Sequence, residues 1–101
     1  MIEIRPSCEH CNRPLPPNAT DARICSFECT FCSDCVELLS NVCPNCGGGF
    51  SARPIRPSRA WLPRSDLATY PASTQHKHRP VDLIAHAALV ARLGALEPHE
   101  R

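Results

Sequence analysis

Apolar residues follow two unlike patterns along this chain. From Val81 to Leu96 they run nearly all the way round a helical wheel, with Asp82, His86 and Arg92 as the charged or strongly polar positions. A helix apolar on every side is normally a covered one. Pro80 suits a first helical position, Asp82 the first turn and Pro98 a stop, so the pattern predicts a helix over 80–97. Gly94 weakens its last turn. In the first half the apolar runs are short. "MIEIR" alternates Ile2 and Ile4 to one side, as a short strand would. "LPPNATDAR" reads as a loop, and "CVELLS" as a short helix beginning at or just after Cys35. Between the halves, "SARPIRPSRAWLPR" is rich in proline and arginine and should be extended. The pattern therefore divides the chain into a module at 1–50, an extended Pro/Arg-rich linker at 51–79 and a C-terminal helix at 80–97.

Composition says what must hold the module together. Aromatic residues make up 5% and there are 11 prolines in 101 residues, so an unaided core would be small. Domains of this size usually need disulfides or a metal. All 8 cysteines fall between Cys8 and Cys46. The N-terminus shows no positive segment followed by an apolar one, as a secretory signal would have, which leads us to expect a cytoplasmic chain with reduced thiols. Metal ligation is then the expected role of the cysteines. The apolar run near Leu83 to Leu96 is too short and interrupted to span a bilayer, so no membrane role is expected.

The ligand series is Cys8-x2-Cys11-x13-Cys25-x3-Cys29-x2-Cys32-x2-Cys35-x7-Cys43-x2-Cys46. A C-x-x-C pair can wrap one tetrahedral ion, because two intervening residues make a tight turn with both sulfurs inward. The residue after such a turn often needs a left-handed backbone, and Asn12 and Gly47 are types that tolerate it. Eight ligands make two tetrahedral sites and imply two Zn2+ ions. Three partitions are reasonable. A sequential one pairs Cys8, Cys11, Cys25, Cys29 and then Cys32, Cys35, Cys43, Cys46. A nested one gives Cys25, Cys29, Cys32, Cys35 their own ion. A cross-braced one takes Cys8, Cys11, Cys32, Cys35 for the first site and Cys25, Cys29, Cys43, Cys46 for the second.

The order of spacings resembles a RING finger: a first knuckle, a long loop, a close pair of ligands, a second knuckle, a short helix, and a last knuckle reading "CPNC". That resemblance implies the cross-braced pairing and a small metal-stabilised α+β fold. Ile24, Phe27, Phe31, Val36, Leu39 and Val42 are the candidates for a minicore shared by the two sites. Ubiquitin ligases of this type carry an apolar residue inside the first knuckle and often a basic residue after the final ligand. Here those places hold Glu9 with His10, and Gly47; only Pro44 matches. The scaffold carries over, and docking of a ubiquitin-conjugating enzyme does not. The run "LPPNATDARICSFECTFCSDCVELLSNVCPNCGG", with its "IEIRPSCEHCNR" lead, is similar to the bacterial family called domain of unknown function 1272 over about residues 1–55. Membership implies a small intracellular zinc-binding protein and supplies no activity.

Four thiolates close a zinc site, whereas catalytic zinc keeps a position for water, so no enzyme is expected. Thiol redox chemistry would want a thioredoxin-like βαβ pattern, which is absent. An iron–sulfur reading stays open, because residues 25–35 run through ferredoxin-like gaps in reverse. His10 can replace a cysteine or sit exposed on its turn, and "HKH" at His76 to His78 reads as a solvated loop.

Charge is divided unevenly. Residues 1–50 hold three basic and six acidic side chains, giving −3, and residues 51–101 hold eight and four, giving +4. Arg53, Arg56 and Arg59 recur at a period of three, which polyproline II geometry stacks on one face, with Trp61 beside them. One reading is a nucleic-acid strip with Trp61 as a stacking platform. The favoured reading is a strap packing back on the acidic module. The function expected is non-enzymatic binding of a protein partner, with self-association of the helix 81–96 through Ile84, Ala88, Leu89, Leu93 and Leu96 as its simplest form.

Overall fold

In the computed structural model, which describes residues 1–101, short elements are laid around the cysteines. Strand β1 (Ala22–Ile24) and strand β2 (Thr30–Cys32) pair antiparallel, with Ala22 opposite Cys32 and Ile24 opposite Thr30. Strand β3 (Ser51–Ala52) adds to the other edge of β1, so the sheet order is β2-β1-β3. Helix α1 (Ser33–Leu38) follows β2 without a loop, and helix α2 (Leu83–Leu93) precedes a 3-10 turn at Pro98–Glu100. No helix is long and apolar enough to cross a membrane.

Ile4, Leu15, Ala22, Phe31, Leu39 and Val42 are buried with the cysteines, and Ile24 lies at the margin of this core. The Phe31 ring meets Phe50 edge-on at 5.3 Å. Phe27 does not join them and is 71% exposed. It lies in the turn linking β1 to β2, where its N–H donates to Cys25 Sγ at 3.3 Å, and a residue serving the knuckle through its backbone leaves its ring in solvent.

Three boundaries differ from the sequence pattern. "MIEIR" forms no strand: Ile4 O accepts from Ser73 N at 2.9 Å, Glu3 N donates to the Glu28 carboxylate at 3.1 Å, and Ile2 O accepts from Arg56 at 3.0 Å. Its backbone groups are satisfied by scattered partners instead of a ladder. Helix α1 starts at Ser33, two residues before Cys35, with Cys32 as its N-cap. Helix α2 is shorter than 80–97, because the Asp82 carboxylate caps it by accepting from Ile84 N and Ala85 N, each at 3.1 Å, while Gly94 ends it with φ 59°.

The Pro/Arg segment is a strap from its first residues. After β3, Arg53 N donates to Ala22 O at 3.0 Å, and the guanidinium enters the module, 3% exposed. It donates to Arg5 O at 2.8 Å, Pro16 O at 2.9 Å and Leu15 O at 3.3 Å. Burial lowers its pKa, and the ring of carbonyl dipoles is what compensates the charge. Arg56 bridges Ile2 O and Tyr70 O, whereas Arg59 lies over the exposed Trp61 ring at 4.2 Å. The three arginines therefore do not share one solvent-facing strip. Replacing the Arg53 cation with Met strands three carbonyls and should cost about 2–3 kcal/mol. Thermal denaturation of Arg53→Met checks this. An unchanged midpoint together with weakened nucleic-acid binding would restore the strip.

The tail continues along the first knuckle. His76 Nδ1 meets Ser7 Oγ at 3.1 Å, His78 Nε2 meets His10 O at 3.2 Å, and Arg79 N donates to Glu9 O at 2.8 Å. Helix α2 is pinned by His86, whose Nε2 donates to Val42 O at 2.8 Å. Arg101 closes the path by donating to Asn41 O at 3.0 Å and Gly47 O at 3.2 Å.

Candidate metal centre

Each knuckle is built by local backbone bonds. In the first, Asn12 N donates to Cys8 O at 3.0 Å, and Asn12 takes φ 62°. In the last, Gly47 N donates to Cys43 O at 2.8 Å, and Gly47 takes φ 77°, where a side chain would be strained. Between them, Cys29 immediately precedes β2 and Cys32 ends it. Strand residues alternate faces, so positions three apart point to opposite sides. Helix α1 then carries Cys35 back beside Cys32, since residues three apart share a helix face.

The sulfurs of Cys8, Cys11, Cys32 and Cys35 consequently lie within 4.8 Å of one another. Cys11 Sγ and Cys32 Sγ are 3.8 Å apart. A tetrahedron with zinc–sulfur bonds of about 2.3 Å has edges of about 3.8 Å, so this donor set can close on a single ion. On the other side, Cys25, Cys43 and Cys46 fall within the same 4.8 Å limit. Cys29 Sγ lies outside that mutual limit, yet it accepts from Asn45 Nδ2 at 3.4 Å. Two cysteine clusters that can hold metal ions are therefore interleaved along the chain. All eight thiols are free, and Cys11 and Cys46 are the exposed ones.

Electrostatics favour a cation in both clusters. Burial, followed by hydrogen bonds to the Cys32 and Cys8 sulfurs, pushes the Cys35 thiol far above the ordinary thiol range. Burial does the same to Cys43, helped by the charges of Cys25 and Cys29, and raises Cys29 as well. Crowded sulfurs cannot all ionise without a compensating charge, and a divalent ion supplies it. Arg13, held charged chiefly by Cys32, also faces Asp21 and Asp34 at 3.3 and 3.4 Å.

His10 joins neither cluster. Its Nδ1 accepts from Val81 N at 2.9 Å, so the imidazole anchors the tail. Glu9, which the sequence marks only as a departure from the RING pattern, is 2% exposed and bonded across the module.

The family model described as "Protein of unknown function (DUF1272)" matches residues 1–56. The chain belongs to this family. The match takes in all eight cysteines and reaches past Arg53. An uncharacterized protein of Rhizobium meliloti (strain 1021) is 51% identical over 81 residues, which cover 79% of this chain and 89% of that protein. An 81-residue alignment cannot fit within residues 1–56, so the likeness to the Rhizobium relative extends beyond the DUF1272 segment. No solved structure matches the chain.

Proposed function

We propose that the protein is a structural zinc protein, in which two closed thiolate sites brace a non-enzymatic protein-interaction module of RING-like, cross-braced type. The observation that carries this reading is the first cluster, four sulfurs within 4.8 Å of one another with no further donor type among them. Such a set leaves no coordination position for substrate or water. The interleaving of ligand pairs, the short helix after Cys35 and the "CPNC" knuckle support the RING-like comparison. Native mass spectrometry with elemental analysis should find two zinc ions per chain and no visible absorption. One ion, or an iron–sulfur spectrum, would overturn the reading.

The partner surface is best placed on α2. Its Leu89, Val90 and Leu93 are half-buried, whereas Ile84 is 87% and Leu83 44% exposed, with Ala87, Ala88 and Ala91 beside them. Leu89 and Leu93 are therefore poorer candidates for an association face than Ile84 and Ala88. An uncharged stripe of small residues around one isoleucine suits close approach of the same stripe from a second copy. Burying an isoleucine contributes about 1.5–3 kcal/mol. Sedimentation should show a dimer, and Ile84→Asp a monomer that keeps its metal; a monomeric parent protein at high micromolar concentration rules out this partner.

A further inference from the structure

Glu9 sits inside the first knuckle, between Cys8 and Cys11, yet its carboxylate serves the other cluster. Oε2 accepts from Thr30 N at 3.0 Å and from Arg5 Nη1 at 3.2 Å. Oε1 accepts from Asn45 Nδ2 at 3.5 Å, with Arg79 Nη2 at 3.8 Å. The Glu9 backbone adds a bond from its N to Thr30 O at 2.9 Å. Thr30 directly follows Cys29, and Asn45 lies inside the Cys43–Cys46 knuckle. Asn45 Nδ2 also donates to Cys29 Sγ at 3.4 Å. Cys29 is the one sulfur outside the tight sets, and so the ligand most in need of positioning.

From this we infer that Glu9 and Asn45 are positioning residues that couple the two metal centres, so that the chain loads both ions as a unit. The inference rests on the metal-binding reading above. A buried carboxylate is costly unless fully partnered, and Arg5 already has Glu3 at 3.5 Å as a second counter-ion. Neutralising Arg5 therefore does not by itself account for Glu9. What its geometry does is tie three points together: the first knuckle, the backbone leaving Cys29, and the amide between Cys43 and Cys46. Closing the first centre fixes the Cys8–Cys11 turn, which places Glu9, which in turn sets Cys29 and Asn45 for the second. Coupling is reciprocal, so filling the second centre favours the first equally.

The test is a Co2+ titration of the reduced full chain, with zero-, one- and two-metal species counted by native mass spectrometry. At half saturation, equal independent sites leave about half of the molecules with one ion, and roughly ten-fold coupling lowers that to about a quarter. The parent protein should fall at or below a quarter. Asn45 is exposed, so Asn45→Ala tests the relay with little expected cost to the fold. The one-metal species should rise to half or more in Asn45→Ala and in Glu9→Gln. Alkylation of that species should label Cys25, Cys29, Cys43 and Cys46 while Cys8, Cys11, Cys32 and Cys35 stay protected. A parent protein with about half its molecules singly loaded overturns the coupling and leaves two-metal binding intact, as does an Asn45→Ala protein that loads like the parent. Failure to bind Co2+ at all would instead overturn the metal reading, and the coupling with it.

Discussion

Removing the metal is expected to unfold residues 1–50, with loss of the near-ultraviolet dichroism and of amide dispersion in nuclear magnetic resonance spectra. No element in this half is stable by itself. The strands have three, three and two residues and α1 has six, well below what isolated helices or hairpins need. The buried apolar residues other than cysteine are few, with Phe31 the one aromatic ring among them. Structural zinc sites contribute about 10–16 kcal/mol, comparable to or larger than the whole stability of an ordinary domain. A strong chelator, with metal loss verified by elemental analysis, makes the measurement. A dispersed spectrum surviving complete removal would sink the claim.

Acid should act in the same direction. The Cys35, Cys43 and Cys29 thiols are raised in the metal-free fold, chiefly by burial, so metal uptake must displace protons that are firmly held. Apparent metal affinity then falls as pH falls.

Phe31→Ala should be the most damaging single change to a residue that is not a ligand. Phe31 lies on β2 between Thr30 and Cys32, 1% exposed, with Phe50 edge-on against it. Truncating such a ring costs about 3–5 kcal/mol, the transfer free energy plus the cavity left behind. In a chain of this size that lowers the melting midpoint by more than about 10 °C. Phe27→Ala is the control, because its ring is 71% exposed and exposed positions usually change stability by less than about 0.5 kcal/mol. Thermal scans of both zinc-loaded variants decide it. Equal midpoints would mean that the metals, not the ring, organise the space between the clusters.

What could be read from the sequence was whatever depends on near neighbours. A C-x-x-C turn is set by the backbone angles of four or five residues, so the knuckles and the left-handed Asn12 and Gly47 follow from spacing alone. The helical pattern of 81–96 is local in the same way, although Asp82, expected in the first turn, is the N-cap and the helix begins at Leu83. The partition of ligands was not local. It turned on Thr30–Cys32 being a strand continuous with α1, a choice that pairing with β1 makes. Nor could spacing tell that Arg53 reaches carbonyls 37 to 48 residues away, that His86 fastens α2 to Val42, or that Glu9 faces Asn45. A charged side chain reads as solvent-facing until the fold brings buried partners to it, because the chain pattern records how polar a residue is and not which distant donor or acceptor will meet it. The candidate ligands were thus legible in the sequence, while the faces covered, the charges buried and the contact between the two cysteine clusters were decided by the chain's return upon itself.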